Sequence, residues 1–90
     1  MKLYLVHAGF YDKNISGGFY ESHTNYFIAA KNIKEAKKKA KLEPEFEKKS
    51  MHIDGIRELN EVQGYSIKLI QSNSDINSEK IYSYDDVKKI

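Results

Sequence analysis

The first part of the chain alternates short apolar runs with turn-forming segments, which predicts two strands. Residues 2–8 include the run Leu-Tyr-Leu-Val, which is apolar at both odd and even positions, as in a central strand or one covered on both faces. Residues 25–30, NYFIAA, have the aromatic and β-branched content of a second strand. The intervening segment 9–22 contains three glycines and is predicted to be a long loop or a hairpin connection.

A helix is predicted to follow directly. Asn32 can cap its N-terminus and Glu35 stands three residues later, as in a capping box, so the helix should begin at Ile33. Small apolar residues recur at helical spacing on one side, and lysines occupy the rest. Pro44 disfavours helical geometry at the residue before it. We expect the helix to end there, and a further turn to begin at Pro44 with Phe46 as its anchor to the core.

The second half of the chain returns to strand patterns. Tyr65, Ile67 and Leu69 alternate with polar residues, which predicts a strand with one buried face. Residues 51–59 fit a single strand only if the pattern shifts by one residue, and Gly55 is the natural position for a bulge. The alternative is a tight turn at that point, which would divide the segment into a hairpin.

Two local signals complete the prediction. Gly64 directly precedes Tyr65 and is expected to adopt a positive φ that reverses the chain into the strand. Near the C-terminus, Ser83 can cap a last short helix whose third position is Asp86. The polar run between these signals is predicted to be a linker.

The order strand, strand, helix, strand, strand predicts an α+β fold of two layers. One amphipathic helix would cover one face of a small, mainly antiparallel sheet. We expect this domain to span residues 1–71, with residues 72–90 forming a polar linker and a short C-terminal element. The core is expected to contain apolar positions of the helix and the sheet, namely Ile33, Ala36, Ala40, Leu3, Leu5, Phe27, Ile67 and Leu69.

Composition narrows the function classes. The chain has no cysteine, which excludes disulfides, thiolate metal sites and cysteine nucleophiles and fits a cytoplasmic location. Its 15 basic and 13 acidic residues nearly balance, so we expect no specific nucleic-acid complex and only a solvated face from the lysine-rich helix. The N-terminal apolar run is too short for a signal sequence or a membrane span, and no membrane partner is expected.

Two acid–histidine pairs are the main candidates for a site. Glu21 and His23 stand two residues apart before the second strand, and His52 and Asp54 have the same separation in the third. Residues two apart on a strand point to the same face, so the four side chains meet if these strands are adjacent. His7 is predicted to be structural.

Three interpretations of these pairs remain open. Imidazole and carboxylate groups suit zinc or a similar divalent ion, with His23 and His52 as the candidate metal ligands. An acid beside a histidine also suits general base catalysis or the binding of a non-metal ligand. The third interpretation is a framework role, in which hydrogen bonds to these histidines fix the register of the sheet.

The loop before the second strand is a further candidate. It carries four aromatic residues among its glycines, and we single out Tyr11 and Tyr20 because aromatic side chains around flexible turns often form the lip of a binding site. The alternative is that two of the aromatics cover the core.

Five segments of the chain follow a known pattern: KLYLV, ESH before an apolar strand, KEAK, HIDGIRELNEV and GYSI. In this combination the chain resembles a bacterial family catalogued as domain of unknown function 1543. The positions that match the family pattern are Glu21, His23, His52, Asp54, Val62, Gly64 and Tyr65. Thr24 and Gln63 stand where the family has aspartate, which removes two acids. The resemblance supports the choice of residues and implies no activity.

Two function classes remain. We favour a non-catalytic binding or protein-interaction module without a cofactor, which could self-associate as a homodimer through an exposed strand edge. The alternative is a small hydrolase-like enzyme, either metal-dependent or based on histidine and acid groups. It would use His23 and His52 together with Glu21 and Asp54, and a divalent metal would be its cofactor.

Overall fold

The computed structural model describes all 90 residues and has an α+β fold. The strands are β1 (Lys2–Phe10), β2 (Ser22–Ala30), β3 (His52–Leu59), β4 (Glu61–Val62) and β5 (Tyr65–Ser66). The helices are α1 (Ile33–Lys41), α2 (Pro44–Lys48) and α3 (Tyr84–Lys88), and a 3-10 turn lies at Ser16–Gly18. None of the helices is long and apolar enough to span a bilayer.

The main sheet has three antiparallel strands in the order β2-β1-β3. β1 is the central strand, as its apolar residues at both odd and even positions suggested. The prediction of a small antiparallel sheet with a helix is therefore confirmed. β2 begins at Ser22 rather than at residue 25, because pairing with β1 already starts at the Phe10–Ser22 pair.

Helix α1 begins where its cap was predicted. The Asn32 side-chain oxygen accepts a hydrogen bond from the Glu35 amide at 2.9 Å. Ala36 and Ala40 are fully buried against the sheet. Ile33, however, is 59% exposed, so its assignment to the core was wrong. As the first helical residue, Ile33 lies at the margin of the packed face.

We expect Asn32→Ala to destabilise the domain by about 1 kcal/mol, because the Glu35 amide loses its partner. Urea denaturation measures this change. The control is Asn73→Ala, since Asn73 is exposed and lies outside the helices and strands. Equal free energies of unfolding for the two variants would contradict the capping role.

The core lies between the helices and one face of the main sheet, which we call the inner face; the opposite side is the outer face. Two neighbouring groups of buried residues form it. The first group is Tyr4, Val6, Ile28, Ala30, Ala36 and Ala40, and the second is Ala8, Phe10, Phe46 and Met51. Phe46 anchors α2, as predicted, and Pro44 is the first residue of that helix.

The residues of β1 and β2 that were predicted to lie in the core, Leu3, Leu5 and Phe27, are on the outer face of the sheet, so this prediction was wrong. Tyr4 and Val6 point inward, so Leu5 lies on the outer face and is only half-buried. Leu5 pairs with Phe27, which is 69% exposed. Leu3 is likewise half-buried and lies on the outer face. Because both sides of β1 are apolar, the pattern alone did not distinguish them.

The strand predicted from Tyr65 to Leu69 does not join the main sheet. Only Tyr65–Ser66 is extended, and it pairs with Glu61–Val62 in a separate two-stranded ribbon. Gln63 and Gly64 form the two-residue connection with φ values of 49° and 82°, which matches the positive φ predicted for the glycine. The alternating apolar residues Tyr65, Ile67 and Leu69 therefore do not mark a strand of the main sheet. Tyr65 belongs to a local hairpin, and Ile67 and Leu69 are partly exposed outside the core.

The last helix has the predicted cap. The Ser83 hydroxyl accepts from the Asp86 amide at 3.2 Å, and the Asp86 carboxylate accepts from the Ser83 amide at 3.0 Å. All residues of α3 are exposed. Residues 67–83, before it, contain no helix or strand.

Candidate functional site

The two acid–histidine pairs meet on the outer face of the main sheet. We call Glu21, His23, His52 and Asp54 the acid–histidine cluster. His23 lies near the start of β2 and His52 begins β3, so the cluster occupies one end of the sheet. The predicted convergence is confirmed, although the two strands are not adjacent, because β1 runs between them.

Four short contacts join the side chains of the cluster. The His52 Nε2 atom lies 2.9 Å from Glu21 Oε1 and 3.0 Å from Asp54 Oδ1. The His23 Nε2 atom lies 3.2 Å from the same Glu21 oxygen and 3.2 Å from Asp54 Oδ2. The two imidazoles and two carboxylates therefore form a closed ring in which acids and histidines alternate.

Gly9 allows the cluster to form across the central strand. It pairs with His23 on one side and with His52 on the other. A Cβ atom at this position would lie 2.7 Å from both His52 Nε2 and Asp54 Oδ2, and closer still to Glu21 Oε1. These side-chain oxygen and nitrogen atoms thus occupy the space that a side chain at position 9 would fill.

A bulge in β3 brings in the fourth residue. β3 is continuous, and its register with β1 shifts by one residue between the His7–Gly55 and Ala8–Ile53 pairs. Asp54 is the extra residue at this shift. The prediction of one strand with a phase shift is therefore confirmed, and the hairpin alternative is wrong. A bulge redirects a side chain locally, which is how Asp54 reaches both histidines.

The cluster is open to solvent on one side. The histidine side chains are 42% and 48% exposed, for His23 and His52, and the two carboxylates are about one-third exposed. Neither Glu21 nor Asp54 pairs with a lysine or arginine, since the other ion pairs of the chain involve different acids. The two negative charges therefore have only imidazoles as partners.

His7 extends the cluster along the sheet. Its ring stacks on His23, with centroids 4.8 Å apart and planes 8° from parallel. Its Nδ1 atom lies 2.8 Å from the side-chain oxygen of Asn25, which accepts a hydrogen bond when that nitrogen carries the proton. His7, His23 and Asp54 also bring ligand atoms within 4.8 Å of one another. His7 thus supports the orientation of His23.

The other sequence-based candidates form no side-chain hydrogen bond or ion pair with the cluster. Tyr11 and Tyr20 are both more than half exposed, and neither forms a hydrogen bond to the cluster through its side chain. Tyr20 follows Phe19, whose ring packs edge-on against it at 4.9 Å. Gly64 and Tyr65 belong to the β4-β5 hairpin. Of the six residues predicted as binding candidates, the four of the cluster are joined by direct side-chain contacts.

The sequence-based prediction did not include Gly9, which leaves space for the cluster, or the stacking of His7 on His23. A signal for Gly9 was present, because a glycine beside an apolar strand often marks a close approach of other groups. It was assigned to a loop, since the first strand was predicted to end at residue 8. His7 was predicted to be structural, and its alternation with Gly9 on one strand face was not used.

The chain also matches a known family. The family described as Domain of Unknown Function (DUF1543) matches residues 18–69, which include all four residues of the cluster and more than half of the 90-residue chain. No curated protein and no solved structure matches the chain. The chain therefore belongs to the DUF1543 family.

Proposed function

We propose that this domain is a non-catalytic module that binds one divalent metal ion at the acid–histidine cluster. The main support for the proposal is that the ring contains more nitrogen–oxygen contacts than the two histidine Nε2 atoms have hydrogens to donate. Each Nε2 atom carries at most one hydrogen. Two hydrogens therefore serve four nitrogen–oxygen contacts of 2.9 to 3.2 Å. The ligand atoms of Glu21, His52 and Asp54 all lie within 4.8 Å of one another, a spacing that one cation can bridge. His23 contacts both carboxylates of this group and would complete the site.

The dimensions of the ring also fit an ion. Zinc binds imidazole nitrogen and carboxylate oxygen at about 2.0–2.2 Å, so neighbouring ligands of a tetrahedral site are about 3.4 Å apart. The four contacts in the ring are shorter than this by a few tenths of an ångström. Small rotations of the side chains would open the ring to that size.

Charge and ligand type support the same conclusion. Metal ions bind carboxylate and imidazole groups in their deprotonated forms, so two of each would present a charge of −2 to the ion, which a divalent cation balances. The chain supplies no other cation to Glu21 and Asp54. Mixed nitrogen and oxygen ligands favour zinc and neighbouring transition metals over calcium or magnesium, which prefer oxygen alone.

We expect untagged protein to bind one Zn²⁺ or Co²⁺ per chain in isothermal titration calorimetry. His52→Ala and His23→Ala should each weaken binding by more than about 100-fold, because each removes a ligand rather than a supporting group. The exposure of both histidines predicts that these variants keep the fold. His7→Ala is the matched control, and a supporting role predicts a loss of about tenfold. Absence of binding by the wild type would overturn the proposal.

A second measurement separates metal binding from a framework role. At 100 times the dissociation constant, the ion should stabilise the folded state by about 2.7 kcal/mol, and the melting temperature should rise. The His52→Ala variant should lack this rise. If both histidine variants are instead destabilised without metal and the wild type gains no stability from Zn²⁺, the histidines are framework residues.

Hydrolysis is the second candidate function, and the open side of the cluster favours it. Zinc held by two histidines and two carboxylates can expand from four to five ligands, and the fifth position on the open side would hold a water that zinc activates as a nucleophile. Turnover of an activated ester by the metal-loaded wild type, and its loss in Glu21→Gln, would support this function.

A further inference from the structure

A groove continues from the acid–histidine cluster along the outer face of the sheet. It has a volume of about 470 Å³ and is lined by Leu5, His7, Asn25, Gly55, Ile56 and Arg57. His7 joins the two regions, because it lines the groove and its ring stacks on His23. A molecule bound at the cluster can therefore extend into this groove.

Arg57 is the charged group of the groove. It is the only arginine of the chain, it is exposed, and it pairs with no carboxylate. The neighbouring Glu58 instead contacts Lys2 at 3.5 Å and the Tyr4 hydroxyl at 3.3 Å. A guanidinium group presents a planar set of donors that matches a carboxylate in two parallel hydrogen bonds. Arg57 is thus free to bind an anion.

The register of the sheet separates the two charged regions by a short distance. Gly9 lies beneath the cluster, and Leu5, four residues earlier on β1, pairs with Arg57. Four residues of a strand span about 13 Å, and an arginine side chain that extends along the groove toward the cluster would cover part of that distance. A small molecule is long enough to bridge what remains.

The surface between the two regions is partly apolar. Leu5 lies between Phe27 on β2 and Arg57 on β3, and Phe27 is 69% exposed. Methylene groups can pack on this surface, whereas a second charge in the middle of the molecule would lose water without gaining a partner. The features of the groove therefore favour a ligand with polar ends and an apolar middle.

From these features we infer that the groove binds a small dicarboxylate. One carboxylate occupies a fifth position on the metal ion, on the side of the cluster open to solvent, and the other pairs with Arg57. The inference rests on the proposed metal site. Its ligand class comes from the free guanidinium and from the apolar surface beside it.

The test uses Co²⁺-loaded protein, whose visible absorption changes when a new ligand enters the coordination sphere. Succinate, glutarate and adipate are titrated, and butyrate is the monocarboxylate control. The best dicarboxylate should bind at least about tenfold more tightly than butyrate, because an ion-paired hydrogen bond contributes at least that much. Arg57→Gln should remove the difference while Co²⁺ affinity stays within about twofold of the wild type.

Lys38→Gln is the matched control, because it removes one positive charge from the exposed surface of α1 and should leave the dicarboxylate preference intact. If Co²⁺ binds and Arg57→Gln prefers dicarboxylates as strongly as the wild type, the groove site is overturned and the metal site stands. The same holds if butyrate binds the wild type as tightly as the dicarboxylates do. If Co²⁺ does not bind, both proposals are overturned.

Discussion

Replacing Gly9 by alanine is expected to weaken Zn²⁺ binding by about 100-fold or more while the domain stays folded. The added Cβ would occupy the space where Glu21, His52 and Asp54 converge. These atoms are the ends of side chains that can rotate away, so the strand itself need not move. Alanine is also no worse than glycine in a strand interior. Isothermal titration calorimetry measures the loss, and urea denaturation should show a change in stability within about 1 kcal/mol.

Gly55→Ala provides the matched control for this experiment. Gly55 lies on β3 beside the bulge, and a Cβ there would meet no atom within 4 Å. This variant should bind Zn²⁺ with nearly wild-type affinity. If Gly9→Ala also binds normally, the ion does not occupy the centre of the cluster.

Replacing Phe46 by alanine should destabilise the domain by about 3–5 kcal/mol. Phe46 is only 8% exposed and packs with Ala8, Phe10 and Met51, so its removal leaves a cavity beneath α2. A small domain has a total stability of about 5–15 kcal/mol, so the variant is expected to be partly unfolded at 37 °C. Urea denaturation followed by circular dichroism measures the change.

Phe27→Ala makes the same chemical change on the outer face. Phe27 is 69% exposed, and a surface substitution of this kind changes stability by about 0.5 kcal/mol or less. A loss for Phe27→Ala as large as that for Phe46→Ala would mean that the outer face is also packed in solution.

The helices were predicted well because their signals are local. A cap acts within three residues, as with Asn32 and Ser83, and proline acts on the residue before it, as with Pro44. Such interactions need no knowledge of the rest of the fold. Strand orientation is different, because it depends on which face the helices cover. Leu5 and Val6 are equally suited to a core by type, and only the packing of α1 distinguishes them.

The sequence predicted which residues form the candidate site, but it did not predict how the three strands of the sheet arrange them. The repeated spacing of acid and histidine identified all four members of the cluster. The sequence did not indicate that β1 would separate His23 from His52, and adjacent strands were the simpler expectation. The strands can share one cluster because Gly9 on β1 has no side chain, which leaves room for the side chains of β2 and β3 to meet above it. Arg57 was not predicted as a site residue because it comes to lie beside the groove through its pairing with Leu5, and the sequence pattern does not give that strand register. The expected cytoplasmic location and the lack of specific nucleic-acid binding stay predictions.

The position of the cluster across three strands has a consequence for folding. Glu21 and His52 lie 31 residues apart in the chain, yet their side chains are in contact. An ion held by both would act as a reversible cross-link that closes a loop of about 30 residues and restricts the unfolded chain, much as a disulfide does. Because the loop contains α1 and α2, the cross-link would hold the two outer strands on either side of β1 and hinder their separation. In a chain without cysteine, the availability of metal would then regulate how long the folded domain persists.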